Sequence, residues 1–151
     1  MNRGQKFLAF LGRICIASIF IWAAVGKVVN WQASESEVVR ILCDWHIYTA
    51  HLPSLEPLLE QLLSVNTILL AVAVALEFVG GCMLLFSWQV RAASVLLLLF
   101  LLPVTILAHH FWMLEGSSYQ VELSMFLKNL AISGGLFTIL AFGKGPANEI
   151  Q

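Results

Sequence analysis

The stretch Ala75-Leu76-Glu77-Phe78-Val79-Gly80-Gly81-Cys82-Met83 places one carboxylate, that of Glu77, inside a long apolar run. The run extends from Thr67 to Phe86, and Glu77 is its only charged residue. About 20 apolar residues are enough for a helix to cross the hydrocarbon core of a bilayer. A carboxylate at that depth is costly, and it is rarely found there without a partner or a function. Glu77 is therefore the first candidate functional residue.

The composition of the whole chain indicates that lipid, rather than water, is its main solvent. Of the 151 residues, 60% are hydrophobic and 11% are charged, and the mean hydropathy is +0.87. Soluble domains carry about 25% charged residues. The net charge of −1 and the lack of a basic run argue against a nucleic-acid partner. The three cysteines have no CxxC spacing, so no metal site is predicted.

Four apolar stretches predict an all-α fold, namely an integral membrane four-helix transmembrane bundle in one domain, residues 1–151. The predicted spans are about 7–29, 66–86, 90–112 and 121–142. The first is expected to remain as a span, because Arg13 interrupts the apolar core that a cleaved signal peptide requires. Pro103 is expected to kink the third span and to free a backbone carbonyl.

The segment between the first two spans holds most of the charge. Ser34 and Glu37 fit a capping box at the start of a helix. The apolar stripe that follows predicts an amphipathic interfacial helix, lying on the membrane surface or over the mouth of the bundle. Pro57 indicates the start of the next helix. If that helix ran unbroken to Phe86 it would exceed the hydrocarbon layer, so the part before Asn66 is expected to project into the interface.

The distribution of charge predicts the orientation of the bundle. Seven acids lie on the outer side, whereas basic residues outside the spans (Arg3, Lys6, Arg91 and Lys144) gather on the other side. The positive-inside rule therefore places both termini in the cytoplasm. Arg13 and Arg91, near the inner boundary, are interpreted as headgroup anchors.

Helical spacing predicts a partner for Glu77 on the fourth span. Gly80 and Gly81 share the helical face of Glu77, and Gly135 shares the face of Lys128. Small residues allow membrane helices to approach closely. Counted from the outer ends, Glu77 lies about 16 Å deep and Lys128 about 10 Å, an offset that a lysine side chain can cover. The second and fourth spans are therefore expected to pack face to face, with Glu77 and Lys128 as an ion pair.

Two more residues of the outer half extend this pair into a candidate pocket. Lys27 and His109 lie near the outer ends of the first and third spans, so Lys27, Glu77, His109 and Lys128 could line a polar pocket that opens outward. The alternative is purely structural: Glu77 neutralises Lys128, Lys27 snorkels to the interface, and His109 caps a helix end.

Several short motifs, in this order and spacing, resemble those of the DoxX family of small four-helix membrane proteins. They are Arg13 and Gly26-Lys27, Glu77 with Gly80-Gly81, Arg91, His109-His110-Phe111-Trp112, and Phe126-Leu127-Lys128-Asn129-Leu130 with Gly134-Gly135. The turn Ser87-Trp88-Gln89 departs from the family, whose members usually have a glycine-containing link there. The resemblance implies an association with quinol oxidation, thiosulfate:quinone oxidoreduction and membrane oxidoreductase complexes. It assigns no roles to individual residues.

The leading hypothesis is an accessory or quinone-interacting subunit of a membrane oxidoreductase system in a bacterial inner (plasma) membrane. Lys128 or His109 would donate a hydrogen bond to a quinone carbonyl and Glu77 would handle the coupled proton, with Lys27 completing the quinone pocket. The chain has no haem, flavin or iron–sulfur motif. A protein partner with redox cofactors, or a homo-oligomer, is therefore expected.

Two other functions stay open. One is a small-solute transporter or permeation element, against which the lack of an inverted repeat argues. The other is a structural assembly factor with no chemistry of its own.

Overall fold

A computed structural model describes residues 3–143, and this part of the chain is all-α. Its helices are α1 (Arg3–Val29), α2 (Trp31–Tyr48), α3 (Glu56–Ser64), α4 (Asn66–Leu85), α5 (Val90–Ala108) and α6 (Gly116–Phe142), with a short 3-10 helix at Phe111–Met113. Four segments are long and apolar enough to cross a membrane: α1, α4, α5 with the 3-10 helix, and α6. The all-α fold and the four candidate spans are confirmed. Lys144, one of the basic residues that predicted the orientation, lies outside the described residues.

The four spans pack in chain order. The main contacts join α1 to α4, α4 to α5, and α5 to α6, whereas α1 and α6 touch much less. Each span contributes a fully buried side chain to the core: Ala17, Leu84, Leu97 and Leu136. The predicted face-to-face packing of the second and fourth spans is wrong, because α4 lies between α1 and α5.

Glycines explain why α4 takes this position. A Cβ on Gly81 would lie 2.8 Å from Cγ1 of Ile21 on α1, and one on Gly80 would lie 2.7 Å from Leu97 on α5. Only a residue without a side chain permits both approaches. The two glycines that were expected to join α4 to α6 therefore join α4 to its two actual neighbours. Gly135 of α6 packs against α1 instead.

The connection between α1 and α2 differs from the predicted capping box. Asn30 is the residue before α2, and its side chain makes no capping hydrogen bond. The backbone N–H of Asn30 donates to the Gly26 carbonyl, and that of Ser34 donates to the Asn30 carbonyl, both at 3.0 Å. Asn30 therefore belongs to both helices, because its N–H bonds back to α1 and its carbonyl accepts a hydrogen bond from α2. The predicted capping box is wrong, because α2 begins at Trp31 and Ser34 lies inside it.

The bundle has two different ends. The capped end carries α2, α3 and the 3-10 helix, and the terminal end carries the start of α1 and the end of α6. At the capped end, Trp45 Nε1 of α2 donates to the Leu107 carbonyl of α5 at 2.8 Å. The Thr67 hydroxyl of α4 donates to the Glu35 carboxylate of α2. Since α2 reaches from α4 to α5, it covers the mouth of the bundle, one of its two expected placements.

The segment from Pro57 to Phe86, considered as one possible long helix, forms two helices, α3 and α4. Pro57 lies in the first turn of α3, as expected, and α3 ends at Ser64. Val65 separates it from α4, which begins at Asn66. The part expected to project into the interface is therefore a helix of its own. Pro103 lies inside α5, where the kink stays a prediction.

Candidate functional site

Glu77 is buried in the bundle and paired with Lys27 of α1. The Lys27 ammonium donates to both carboxylate oxygens, with Nζ 2.8 Å from Oε1 and 2.6 Å from Oε2. The Glu77 side chain is 4% exposed and the Lys27 side chain is 32% exposed. The predicted ion pair between Glu77 and Lys128 is therefore wrong.

The register between α1 and α4 brings these two side chains together. Gly81 packs against Ala17 and Ile21, and the two helices run in opposite directions. Glu77 lies one turn before Gly81, so it faces the part of α1 that follows Ile21. The Lys27 side chain extends into this region and contacts Glu77. The contact between the helices thus fixes both partners of the ion pair.

Lys128 lies on an exposed face of α6. Its Nζ donates to the sulfur of Met125 at 2.9 Å, one turn closer to the capped end. A lysine that extends toward the nearer interface is typical of snorkelling. Lys128 is therefore not part of the site around Glu77.

The direction of helical side chains is the signal that could have distinguished the two lysines. Cα–Cβ bonds tilt toward the N-terminus of a helix. On α1, which runs toward the capped end, this tilt directs Lys27 inward to the depth of Glu77. On α6, which runs the other way, it directs Lys128 outward. The depth of each residue in the membrane, as counted from the sequence, is compatible with either lysine as the partner of Glu77.

A third helix contributes an aromatic ring that the sequence did not single out. Lys27 Nζ lies 5.6 Å from the ring centroid of Phe100 on α5, a distance that allows a cation–π interaction. Phe100 is buried, at 7% exposure. The Lys27–Glu77 site therefore consists of an ammonium from α1, a carboxylate from α4 and an aromatic ring from α5.

His109 belongs to a different group of polar residues. Its Nδ1 lies 2.7 Å from Oε2 of Glu122 on α6. The neighbouring His110 is buried; its Nδ1 donates to the Leu107 carbonyl at 2.9 Å, and its Nε2 lies 3.7 Å from the Asp44 carboxylate on α2. Within residues 3–143 the acidic partner of His109 is Glu122 and that of Lys27 is Glu77, so the predicted four-residue pocket divides into separate parts.

Charged residues of α2 complete the group at the capped end. Arg40 donates to Glu37 at 2.9 and 2.5 Å and to Asp44 at 2.9 Å. The hydrogen bond from Arg40 lowers the pKa of the Glu37 carboxyl, and the same bond raises the pKa of Arg40. This network lies within α2 and apart from the Lys27–Glu77 contacts.

The Lys27–Glu77 site can bind a hydrogen-bond acceptor. An ammonium has three N–H donors, and two of those of Lys27 serve Glu77. No acceptor within residues 3–143 takes the third N–H, and the Lys27 side chain as a whole is partly exposed. The buried carboxylate beside it can hold or accept a proton. Within residues 3–143 no group of three or more His, Cys, Asp or Glu side chains could hold a metal ion.

Comparisons with known proteins cover most of the chain. Residues 8–110 match the model of the DoxX family, a range that exceeds half of the 151 residues and includes both Lys27 and Glu77. Inner membrane protein YphA of Escherichia coli (strain K12) is 22% identical over 141 residues, which cover 93% of this chain and 86% of that relative. No solved structure matched the chain. The extent of the family match shows that the chain belongs to the DoxX family.

Proposed function

We propose that this protein is a quinone-interacting subunit of an inner-membrane oxidoreductase system, with its quinone site at Lys27 and Glu77. The observation that carries this proposal is the partly exposed ammonium of Lys27, which holds a buried carboxylate and keeps one donor free. The name of the relative YphA supports an inner-membrane location. The excess of basic residues at the terminal end supports cytoplasmic termini.

The site has the groups that a quinone headgroup requires. A quinone carbonyl oxygen accepts the third N–H of Lys27, and the buried Phe100 ring makes the surroundings of that ammonium apolar. Negative charge grows on the carbonyl oxygen as the quinone is reduced, so the hydrogen bond from a cation strengthens during the reaction. Glu77 holds the Lys27 ammonium in place.

The proposed reaction needs groups from outside this chain. Reduction of a quinone to a quinol takes two electrons and two protons. Lys27 supplies one proton to the carbonyl oxygen that it contacts and regains it from water at the capped end. The other carbonyl oxygen takes its proton from outside the site, and both electrons come from a partner protein with a redox cofactor. The chain acts as a binding and proton-handling subunit of that partner.

Quinone binding by lysine variants tests the proposal. The purified full-length protein in lipid nanodiscs is titrated with decylubiquinone, and binding is followed by quenching of tryptophan fluorescence. Lys27→Met is expected to weaken binding about tenfold or more, because a hydrogen bond from a charged donor is lost. Lys128→Met is the matched control and is expected to bind like the wild type.

Two results would contradict the quinone proposal. One is a wild-type protein that does not bind the quinone, and the other is a Lys27→Met protein that binds as well as Lys128→Met. Glu77→Gln keeps the size of the buried side chain and is measured beside them, and a thermal unfolding curve of each variant separates a fold defect from a binding defect. Equal binding by all variants would leave Lys27 and Glu77 with a structural role only.

A further inference from the structure

Arg13 is buried on the core-facing side of α1. The residues that α1 buries are Arg13, Ala17, Phe20 and Ala24, which recur at helical spacing along one stripe. Arg13 is only 8% exposed. The sequence interpretation made Arg13 a headgroup anchor, and the structure places its side chain on the core-facing stripe of α1 rather than on the open lipid-facing surface.

The guanidinium has no polar partner among residues 3–143. Its Nε is enclosed and makes no hydrogen bond. The Phe10 ring, with its centroid 6.0 Å from Cζ, is its one aromatic contact in this part of the chain. A buried charge without a partner is strongly unfavourable, and a cation–π contact of this length offsets little of that cost. An anion beside the guanidinium would offset this cost.

The described part of the chain supplies no such partner at the terminal end. The basic residues Arg3, Lys6, Arg13 and Arg91 lie toward this end. The acidic residues within 3–143 lie in α2, α3 or the capped end of α6, apart from Glu77, which pairs with Lys27. Arg91 donates to the Ala141 carbonyl. The terminal end therefore carries several cations and no carboxylate of residues 3–143.

We propose that Arg13 is the binding residue of an oxyanion site at the terminal end, and that its ligand is a phosphate group. The planar guanidinium donates parallel hydrogen bonds that match two oxygens of a phosphate. The phosphate is either the phosphodiester of an anionic lipid in the adjacent leaflet or a free phosphate ion. Both present the same oxygens to Arg13.

The position of Arg13 along α1 brings its guanidinium within reach of a headgroup. Arg13 lies six residues beyond Phe7, the first apolar residue of α1, or about 9 Å along the helix axis. Its side chain leaves the helix toward the N-terminus, and the contact with Phe10 agrees with that direction. The guanidinium therefore extends back toward the terminal end. This site and the Lys27–Glu77 site lie in opposite halves of the bundle, so the two proposals are independent.

Anion binding by the purified full-length protein in detergent micelles tests this inference. Phosphatidylglycerol, phosphatidylcholine and inorganic phosphate are added in separate arms, lipid binding is measured by native mass spectrometry, and stabilisation by thermal unfolding. In the lipid arm, we expect the wild type to bind phosphatidylglycerol more tightly than phosphatidylcholine. Arg13→Gln is expected to weaken this binding about tenfold or more. Lys6→Gln removes an exposed cation from the same helix, and we expect it to change the affinity for phosphatidylglycerol less than about threefold.

The arms also identify the source of the phosphate. If only phosphatidylglycerol stabilises the protein, and Arg13→Gln abolishes that effect, the ligand is a lipid. If inorganic phosphate stabilises the protein and Arg13→Gln abolishes that effect, the ligand is the free ion. If Arg13→Gln does not fold, Arg13→Lys keeps the charge without the planar fork, and it is expected to bind several-fold more weakly than the wild type. The inference is overturned if the wild type prefers neither anionic probe, or if the folded Arg13 variants bind like Lys6→Gln.

Discussion

Replacement of Lys27 by methionine should destabilise the bundle more than replacement of Lys128. Lys27→Met removes the two hydrogen bonds, at 2.8 and 2.6 Å, that hold the buried carboxylate of Glu77. Loss of one partner from a fully buried ion pair costs about 3–5 kcal/mol. The Lys27 side chain is 32% exposed, so its ammonium is partly hydrated and the lower end of the range applies. We expect the free energy of unfolding to fall by about 3 kcal/mol.

The other corners of a double-mutant cycle follow from the same geometry. Glu77→Met leaves a neutral side chain and a lysine that can turn toward water, so we expect a smaller loss of about 1–2 kcal/mol. The double variant Lys27→Met with Glu77→Met leaves no buried charge, and we expect its stability to lie within about 1 kcal/mol of the wild type. The large coupling energy between the two positions is the signature of a direct pair.

Reversible denaturant unfolding of the purified protein in mixed micelles measures these differences. Lys128→Met is the matched control: its ammonium contacts the sulfur of Met125 on an exposed face, and we expect a change within about 0.5 kcal/mol. The reasoning would be refuted if Lys27→Met were as mild as this control. It would also be refuted if the double variant were as unstable as the single Lys27→Met variant.

Three further predictions concern a helix contact, the docking of α2 and the acid response. Gly81→Ala is expected to lower the free energy of unfolding by about 1–3 kcal/mol in the same assay, because its Cβ would lie 2.8 Å from Ile21 of α1. Gly134→Ala is the control: a Cβ there would meet no atom within 4 Å, and we expect no loss of stability. Trp45→Phe removes a hydrogen bond to α5, and we expect amide exchange in α2 to rise about fivefold, whereas unchanged exchange would contradict the docking role. The folded-state pKa of Glu37 lies below its ordinary value of 4.5 because Arg40 donates a hydrogen bond to it. The contribution of this bond to the stability of the folded state is therefore present above pH 4.5, and it is lost as the pH falls through the lowered pKa. Glu37→Gln should therefore reduce the loss of stability in acid, and identical acid curves for variant and wild type would count against it.

The four spans could be predicted from the sequence because each is a separate apolar run of bilayer length. The partner of Glu77 could not be predicted from depth, since Lys27 and Lys128 both lie within reach of it. The order of the helices around the bundle decides between the lysines. That order depends on contacts such as Gly81 against Ile21, which involve residues far apart in the chain.

The burial of Arg13 and the contact of Phe100 with Lys27 could not be predicted from the sequence either. α1 is apolar on nearly all sides, so hydropathy does not distinguish its lipid-facing surface from its core-facing stripe. The same holds for α5, where Phe100 is one of many large apolar residues. Only the neighbouring helices determine which of these side chains face inward.

The attachments of α2 make it a mechanical lever on the Lys27–Glu77 pair. Glu35 connects α2 to α4 and Trp45 connects it to α5, while Asn30 alone separates it from the last turn of α1. Lys27 lies in that last turn. A force that tilts α2 therefore moves the Lys27 ammonium against the Glu77 carboxylate without anything entering the hydrocarbon layer. A change in the tilt of α2 would therefore reach a charge pair that is buried among the helices.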